Sequence, residues 1–233
     1  MNPIHEETYT EGVAGVVHRT RLKALLSIIR SLDLPPSGCL GDFGCSNGFI
    51  IETLARAELP GKGWTYRGLD HDPRLLAFAR EKNIPRAQFS VVDLNRESAL
   101  GPFDMVTCLE TLEHVGNLQS AVRTLFASCK PGGRILISVP KEIGLPGLAK
   151  FLGRRIIRGR NVYGDFFVNG KSEAAYLKAL LLHERIDGFR DAGRTGWGVH
   201  LGFDLRVLER LLPAAAAHTS SFFGFNQFYV FSR

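Results

Sequence analysis

Short apolar runs alternate along the chain with stretches in which apolar residues recur at helical spacing. The short runs predict five strands, over 39–43, 64–70, 88–92, 103–108 and 134–139. The helical spacing predicts four helices around them, over 13–32, 47–59, 73–82 and 117–129. Strands and helices of these lengths, alternating along most of this stretch, predict a parallel sheet covered by helices on both faces.

The end of the chain breaks this alternation. Asp204 is predicted to cap a helix that runs to Leu212, and two more strands are predicted over 218–223 and 227–231. Because only three residues join these strands, they can form only an antiparallel pair. The sequence therefore predicts an α/β fold in one domain, 1–233, with a doubly wound sheet of seven strands, mostly parallel, and a reversed strand at its C-terminal end.

Composition narrows the classes of function. The formal net charge of +6 favours anionic partners without requiring nucleic acid. The four cysteines show no C-x-x-C spacing, so neither a metal site nor a disulfide framework is expected, and we predict reduced thiols. The polar N-terminus lacks the pattern of a signal peptide, and no window approaches the length of a membrane span. We therefore expect a cytoplasmic protein.

A glycine turn with the sequence Asp-Phe-Gly-Cys-Ser-Asn-Gly lies at 42–48, where the first strand leads into a helix. Gly44 permits a sharp turn and the close approach of a ligand, and Gly48 permits close packing of the helix on the sheet. The free N–H groups of the helix N-terminus face the same edge. A carboxylate at Asp42 would repel a pyrophosphate but suits a cationic ligand. The amino and sulfonium groups of S-adenosylmethionine satisfy that requirement.

Two further carboxylates are predicted at the ends of the next two strands. Asp70 is placed to accept both hydroxyls of a ribose, and Asp93 to accept an adenine amino group. A single aspartate in such a position is more often a helix cap or a surface acid, and Asp72, before Pro73, fits a cap better. Three acids at successive strand ends favour a binding site instead. Neighbouring residues are predicted to contact the cofactor as well: Cys45, His71, Leu94 and Cys108.

Between residues 40 and 139 these motifs resemble the class I S-adenosylmethionine-dependent methyltransferases. Residues 40–48 resemble the first motif of that family, although Ser46 stands where a middle glycine is common. Residues 103–116 and the Pro-Gly-Gly turn and strand over 131–139 are similar to the ubiquinone-biosynthesis type of O-methyltransferase. The resemblance implies a Rossmann-like fold, S-adenosylmethionine as the cofactor and methyl transfer as the activity.

Methyl transfer requires an acceptor held in line with the methyl group and, where necessary, a base that removes its proton. The candidates are Glu110 and His114, which follow the fourth strand, and His200, which precedes the last helix. We expect methylation of a hydroxyl or carboxyl oxygen on a small-molecule, lipid-linked or glycan-type acceptor. A catalytically silent S-adenosylmethionine-binding protein that acts as a partner or regulator is the alternative. A nicotinamide-dependent reductase is disfavoured by Asp42.

Residues 141–200 are longer than a single connecting helix and are predicted to form a cap inserted on the acceptor side. Residues 143–164 contain five basic residues and no acidic one, interleaved with apolar residues. This pattern fits a solvated cap, a grip on a phosphorylated acceptor, or a peripheral contact of 145–160 with an anionic membrane that supplies a lipid-linked acceptor. Nucleic acid is not expected as a partner, because aromatic residues are sparse in this stretch. The sequence does not predict the oligomeric state.

Overall fold

The computed structural model describes residues 12–158, 172–190, 196–197, 201–213, 217–221 and 224–233. The strands are β1 (Ser37–Phe43), β2 (Gly63–Asp70), β3 (Ala87–Val91), β4 (Phe103–Leu109), β5 (Cys129–Pro140), β6 (Ala217–Ser221) and β7 (Asn226–Ser232). The helices are α1 (Gly12–Ser31), α2 (Phe49–Arg56), α3 (Pro73–Glu81), α4 (Leu118–Ser128), α5 (Gly144–Arg158), α6 (Glu173–Leu181) and α7 (Leu205–Glu209). Single turns of 3₁₀ helix cover Leu112–His114 and Asp187–Phe189.

The seven strands form one sheet in the order β3-β2-β1-β4-β5-β7-β6. Strands β1 to β5 pair in parallel, whereas β7 runs antiparallel to both β5 and β6. The predicted mostly parallel sheet with a reversed C-terminal strand is thus confirmed. The strand order reverses direction between β1 and β4, and ligands of open α/β sheets bind beside such a point, beyond the carboxyl ends of the strands.

Side chains that alternate along the central strands divide the core into two layers. On one face, Met105 and Leu136 pack with α1, α2 and α3. On the other face, the adjacent Val106 and Ile135 pack with α4 and α7. Successive residues of a strand point to opposite sides, so strands covered on both faces must be apolar at nearly every position. This is why the short continuous apolar runs predict these strands correctly.

Two predicted boundaries differ from the structure. The Pro-Gly-Gly segment at 131–133 was expected to be a turn before the strand, but it lies inside β5, which already begins at Cys129. The pairing of β4 with β5 shifts there, since Phe103 faces Cys129 whereas Met105 faces Arg134. A bulge of this kind accommodates extra residues within a ladder. Asp204 caps α7 as predicted, accepting from the N–H of Arg206, but the helix ends earlier than expected.

The described part of the predicted cap contains α5 and α6, which pack on each other around the buried rings of Phe151 and Tyr176. The basic side chains of α5 turn toward acids: Lys150 and Arg154 both pair with the buried Glu142, and Arg155 pairs with Glu173. The basic stretch therefore carries less free charge than its sequence suggests. Its role as a cap on the acceptor side stays a prediction.

Across the described ranges, no helix is long and apolar enough to cross a membrane.

Candidate functional site

A cavity of about 270 Å³ opens at the carboxyl ends of β1, β2 and β4. The glycine turn and Asp70 form its floor, the residues after β4 form one side, and α1 lies across it with His18 and Arg21. This is the edge of the sheet at which the strand order reverses. The structure therefore brings the first two sequence motifs to one place.

The glycine turn has a backbone that other residues would strain. Gly44 has φ of 81°, and a Cβ at this position would overlap the hydroxyl of Thr111. Gly48 has φ of 77°, and its missing side chain lets Ala79 and Phe89 approach the start of α2. Ser46 also adopts the left-handed region, with φ of 51°, which is unfavourable for a residue with a Cβ. Ser46 stands where a glycine is common in the first motif of the family that the sequence resembles, and its backbone adopts a conformation typical of glycine.

Asp70 lines the cavity and also holds the turn in place. Its Oδ2 accepts from the N–H of Ser46 at 2.8 Å, and its Oδ1 accepts from the N–H of Asp72 at 3.0 Å. A carboxylate has about four lone-pair positions, so these two bonds leave acceptor capacity for a ligand. Asp70 can therefore accept from paired hydroxyls while it ties the turn after β1 to the end of β2.

Asp42 lies beneath the turn and is almost completely buried. Its Oδ1 accepts a hydrogen bond from the hydroxyl of Thr107 on β4 at 2.6 Å. Burial raises the pKa of Asp42 to about 6, the Thr107 hydrogen bond opposes this rise, and the charge of Asp70 adds to it. A cation near this pair of carboxyls would favour their ionised forms. The site is therefore prepared for a positively charged ligand group.

Replacing Asp42 with asparagine is expected to stabilise the ligand-free protein above about pH 6. Because the pKa of Asp42 is raised from 3.8 to about 6 on folding, the native state loses stability as the pH rises through this interval. The shift corresponds to about 3 kcal/mol, most of which the amide should recover while keeping the hydrogen bond from Thr107. The free energy of unfolding in urea, measured in steps between about pH 4 and about pH 8, checks this.

Asp104→Asn is a control variant for which the opposite change in the free energy of unfolding is expected. Burial raises the pKa of Asp104, but hydrogen bonds from Lys130 and from the N–H of Cys39 outweigh this and hold the pKa below its usual value. Asp104→Asn should therefore lose stability at neutral pH, where Asp42→Asn gains it. An Asp42→Asn protein that is less stable than the wild type near pH 8 would contradict the assignment of a raised pKa.

Asp93, the third predicted acid, follows β3 and its carboxylate already has several donors. Its Oδ1 accepts from the N–H and the side-chain amide of Asn95, both at 3.0 Å, and from the indole N–H of Trp197 at 3.2 Å. The Trp197 ring stacks on His71, with ring centroids 3.8 Å apart and planes 10° from parallel. His71 and Trp197 both line the cavity, so this stack forms the end of it beside β2.

Glu110, at the opposite end of the cavity, follows β4 with a φ of 49°. Its Oε1 accepts from the hydroxyl of Ser138 at 2.9 Å, and its Oε2 accepts from the side-chain amide of Asn226 at 2.9 Å. Arg21 of α1 forms an ion pair with the same Oε2 at 3.0 Å. Both oxygens are thus engaged by donors, which favours a structural role for Glu110 over removal of a proton.

His114 lines the same end of the cavity, and its side chain is partly open to solvent. The Oε1 of Glu113 lies 4.0 Å from His114 Nε2, beyond hydrogen-bond distance. Burial raises the pKa of Glu113 well above its usual value, and the charge of Glu110 adds to this. Burial and the charge of Glu110 therefore both disfavour the ionised form of Glu113.

Comparison with known proteins identifies the family to which this chain belongs. Residues 42–135 match the family model described as a methyltransferase domain. The chain is 32% identical over 171 residues to a ubiquinone biosynthesis O-methyltransferase of Xanthomonas axonopodis pv. citri (strain 306), covering 68% of this chain and 69% of the relative. It is 33% identical over 169 residues to the enzyme of the same name from Xanthomonas oryzae pv. oryzae (strain PXO99A), covering 67% of each.

The protein belongs to the S-adenosylmethionine-dependent methyltransferases. Among solved structures, S-adenosylmethionine-bound CalS10, an amino pentose methyltransferase from Micromonospora echinaspora, is 27% identical with a TM-score of 0.42, covering 55% of this chain and 56% of that one. The match to the methyltransferase domain and to the two curated relatives confirms the predicted family, activity and cofactor.

The cavity of this methyltransferase contains side chains that suit the groups of S-adenosylmethionine. Asp70 faces the cavity with acceptors for hydroxyls, and the buried Asp42 lies beneath the turn, where a positive charge is favoured. S-adenosylmethionine supplies an activated methyl group on a positively charged sulfur. Arg21 lines the cavity, where it can pair with a carboxylate of the ligand, and it also forms an ion pair with Glu110.

Not every residue predicted for the site lies at the cavity. Gly44, Cys45, Asp70, His71, Glu110 and His114 line it, whereas Asp42, Gly48 and Asp93 are not among its lining residues. Leu94 and Cys108 are instead buried in the core, and Leu109 lines the cavity beside Cys108. Burial also raises the pKa of the Cys45 and Cys108 thiols, so both stay protonated. His200 lies outside the described residues.

Sequence reasoning missed Arg21 and His18 as parts of the cavity wall, and it missed that Trp197 contacts His71 and Asp93 there. Arg21 and His18 lie on a helix whose periodicity shows only its apolar face, and Trp197 comes from a stretch without any pattern. Only the three-dimensional fold brings them to the strand ends. Across the ranges that the structure describes, no cluster of three or more His, Cys, Asp or Glu side chains could hold a metal ion.

Proposed function

We propose that this methyltransferase methylates an oxygen, preferably an acidic hydroxyl such as a phenol, on a largely apolar acceptor. The observation that carries the proposal is the composition of the cavity lining. The imidazole of His114 and the apolar side chains of Leu22, Leu25 and Phe228 all line the same cavity. An acidic hydroxyl needs only a neutral base of moderate strength, and its apolar body would pack on these apolar side chains.

The ionic contacts nearby support oxygen over nitrogen as the attacked atom. Arg21 and two neutral donors engage Glu110, and burial disfavours the ionised form of Glu113. Neither of these two carboxyls is therefore well suited to attract a protonated amine. The curated relatives are named as O-methyltransferases of ubiquinone biosynthesis, which agrees with an oxygen acceptor.

We also propose that the enzyme contacts a membrane surface peripherally through α5, where a lipid-linked acceptor would be held. Leu145 and Ile156 have 75% and 83% of their surface exposed, and Leu152 is exposed between them. Because Lys150, Arg154 and Arg155 are paired with acids, this contact would depend more on apolar side chains than on charge.

A matched acceptor panel tests the proposal. A phenol, its aniline analogue and the same phenol with a long alkyl chain are each incubated with enzyme and S-adenosylmethionine, with methylated product and S-adenosylhomocysteine measured by mass spectrometry. We expect the phenol to exceed the aniline by at least about tenfold in kcat/KM, because an imidazole can take the proton of a phenol but not that of the far less acidic N–H of an aniline. The alkyl chain should lower KM, and more so when the acceptor is embedded in vesicles.

Two outcomes would contradict the proposal. Faster methylation of the aniline would reassign the attacked atom to nitrogen. Binding of S-adenosylmethionine without turnover of any acceptor would favour the alternative, a silent cofactor-binding protein. If embedding the alkyl phenol in vesicles lowers its KM no further, the membrane contact is rejected. The preference for a phenol is unaffected by that result.

A further inference from the structure

Trp197 makes two specific contacts with residues that the sequence assigns to cofactor binding: His71, and Asp93, which is predicted to accept the adenine amino group. Its indole ring lies flat on the imidazole of His71, with ring centroids 3.8 Å apart. Its indole N–H donates to Oδ1 of Asp93 at 3.2 Å. The indole thus presents one aromatic face and one N–H donor to this end of the cavity. An adenine ring with its exocyclic amino group would present the same two features.

We propose that Trp197 occupies the adenine subsite and must withdraw from it before S-adenosylmethionine can bind. The inference depends on the proposed placing of adenine between His71 and Asp93. Two rings 3.8 Å apart are already in van der Waals contact, so no third ring fits between them. The remaining cavity of about 270 Å³ is at the small end of the range for ligand sites, as expected if part of it is filled from within.

Backbone contacts with the loop after His114 hold Trp197 in position. Trp197 forms a β-bridge with Val115, and the carbonyl of Gly196 accepts from the N–H of Gly116 at 2.5 Å. Gly196 has φ of 76°, and a Cβ there would press on the side chain of Asn95. The backbone contacts lie directly after the 3₁₀ turn Leu112–His114. Withdrawal of Trp197 would therefore loosen the loop that follows His114.

This arrangement makes cofactor affinity depend on the fraction of molecules in which Trp197 has withdrawn. A ligand that binds only the open form has an apparent dissociation constant raised by the inverse of that fraction. The stack and the hydrogen bond both stabilise the closed form. Cofactor binding is then coupled to the His114 loop, so that binding of S-adenosylmethionine would precede that of the acceptor.

Binding of S-adenosylhomocysteine and of adenosine to Trp197→Ala, measured by titration calorimetry, tests the inference. We expect both ligands to bind about tenfold more tightly than to the wild type, because the open form no longer competes with the closed one. Trp197→Phe keeps a ring but loses the N–H donor, so its affinity should be intermediate. Phe78→Ala, which removes an exposed aromatic ring from α3 outside the cavity lining, should leave both affinities unchanged.

Tryptophan fluorescence of the wild type gives a second readout that needs no variant. The chain has two tryptophans, and Trp64 is fully buried in the core, so a change on adding S-adenosylhomocysteine reports on Trp197. We expect a change in intensity and wavelength as the indole leaves His71, and its absence in Trp197→Phe. Weaker or unchanged ligand binding by Trp197→Ala would overturn the inference, since Trp197 would then be a wall of the subsite or unrelated to it. Because these measurements need no acceptor, their failure is distinct from a failure of the proposed oxygen methylation.

Discussion

Replacing Asp70 with asparagine is expected to raise the dissociation constant for S-adenosylmethionine about a thousandfold. Two hydrogen bonds from ribose hydroxyls to a carboxylate contribute about 1.5–3 kcal/mol each, and tenfold in affinity corresponds to about 1.4 kcal/mol. Asp70 also holds the N–H groups of Ser46 and Asp72, so its loss loosens the turn at the same time. Calorimetric titration with S-adenosylhomocysteine, which removes turnover from the measurement, checks this expectation.

Asp72 is the matched control for this experiment. It lies two residues farther along and caps α3 by accepting from the N–H of Arg74, and it is not part of the cavity lining. The amide of Asp72→Asn keeps an acceptor for the cap, so cofactor affinity should stay within about twofold of the wild type. If Asp70→Asn binds the cofactor as tightly as Asp72→Asn does, the ribose does not lie at Asp70.

The elements that could be predicted from the sequence are those whose signal is local. The central strands have apolar residues on both faces, as Met105 and Val106 show by facing opposite layers of the core. The parallel pairing then brings the ends of β1 and β2 to one edge, with Phe43 opposite Leu69. For this reason the neighbouring Asp42 and Asp70 could be grouped into one site before the fold was known.

The features that could not be predicted depend on contacts between distant parts of the chain. Trp197 meets Asp93 across 104 positions, and no periodicity in the sequence connects them. Arg21 pairs with Glu110 because α1 crosses the cavity, which its apolar spacing does not indicate. The extra residues 131–133 were expected to form a turn because proline and glycine favour turns, whereas β5 absorbs them in a bulge. Tertiary pairing here overrides local preference.

His114→Asn is expected to lower kcat for a hydroxyl acceptor by about a thousandfold, the middle of the range for loss of a general base. The polar side chain remains, but it cannot take the proton from the attacking oxygen. Affinity for S-adenosylhomocysteine should stay within about threefold, because the assigned ribose and adenine contacts come from other residues. The wild-type rate should rise with pH where imidazoles lose their proton, and this rise should disappear in the variant.

His183→Asn and Glu110→Gln separate this role from general disturbance of the site. His183 is exposed and is not among the cavity-lining residues, so its loss should change neither kcat nor the pH profile. Glu110→Gln weakens the ion pair with Arg21 and should lower activity, yet the pH profile should persist because the imidazole remains. A His114→Asn enzyme that retains most of its kcat, with an unchanged pH profile, would show that positioning alone drives transfer. In that case the acceptor would have to arrive already ionised, and His114 would only line its pocket.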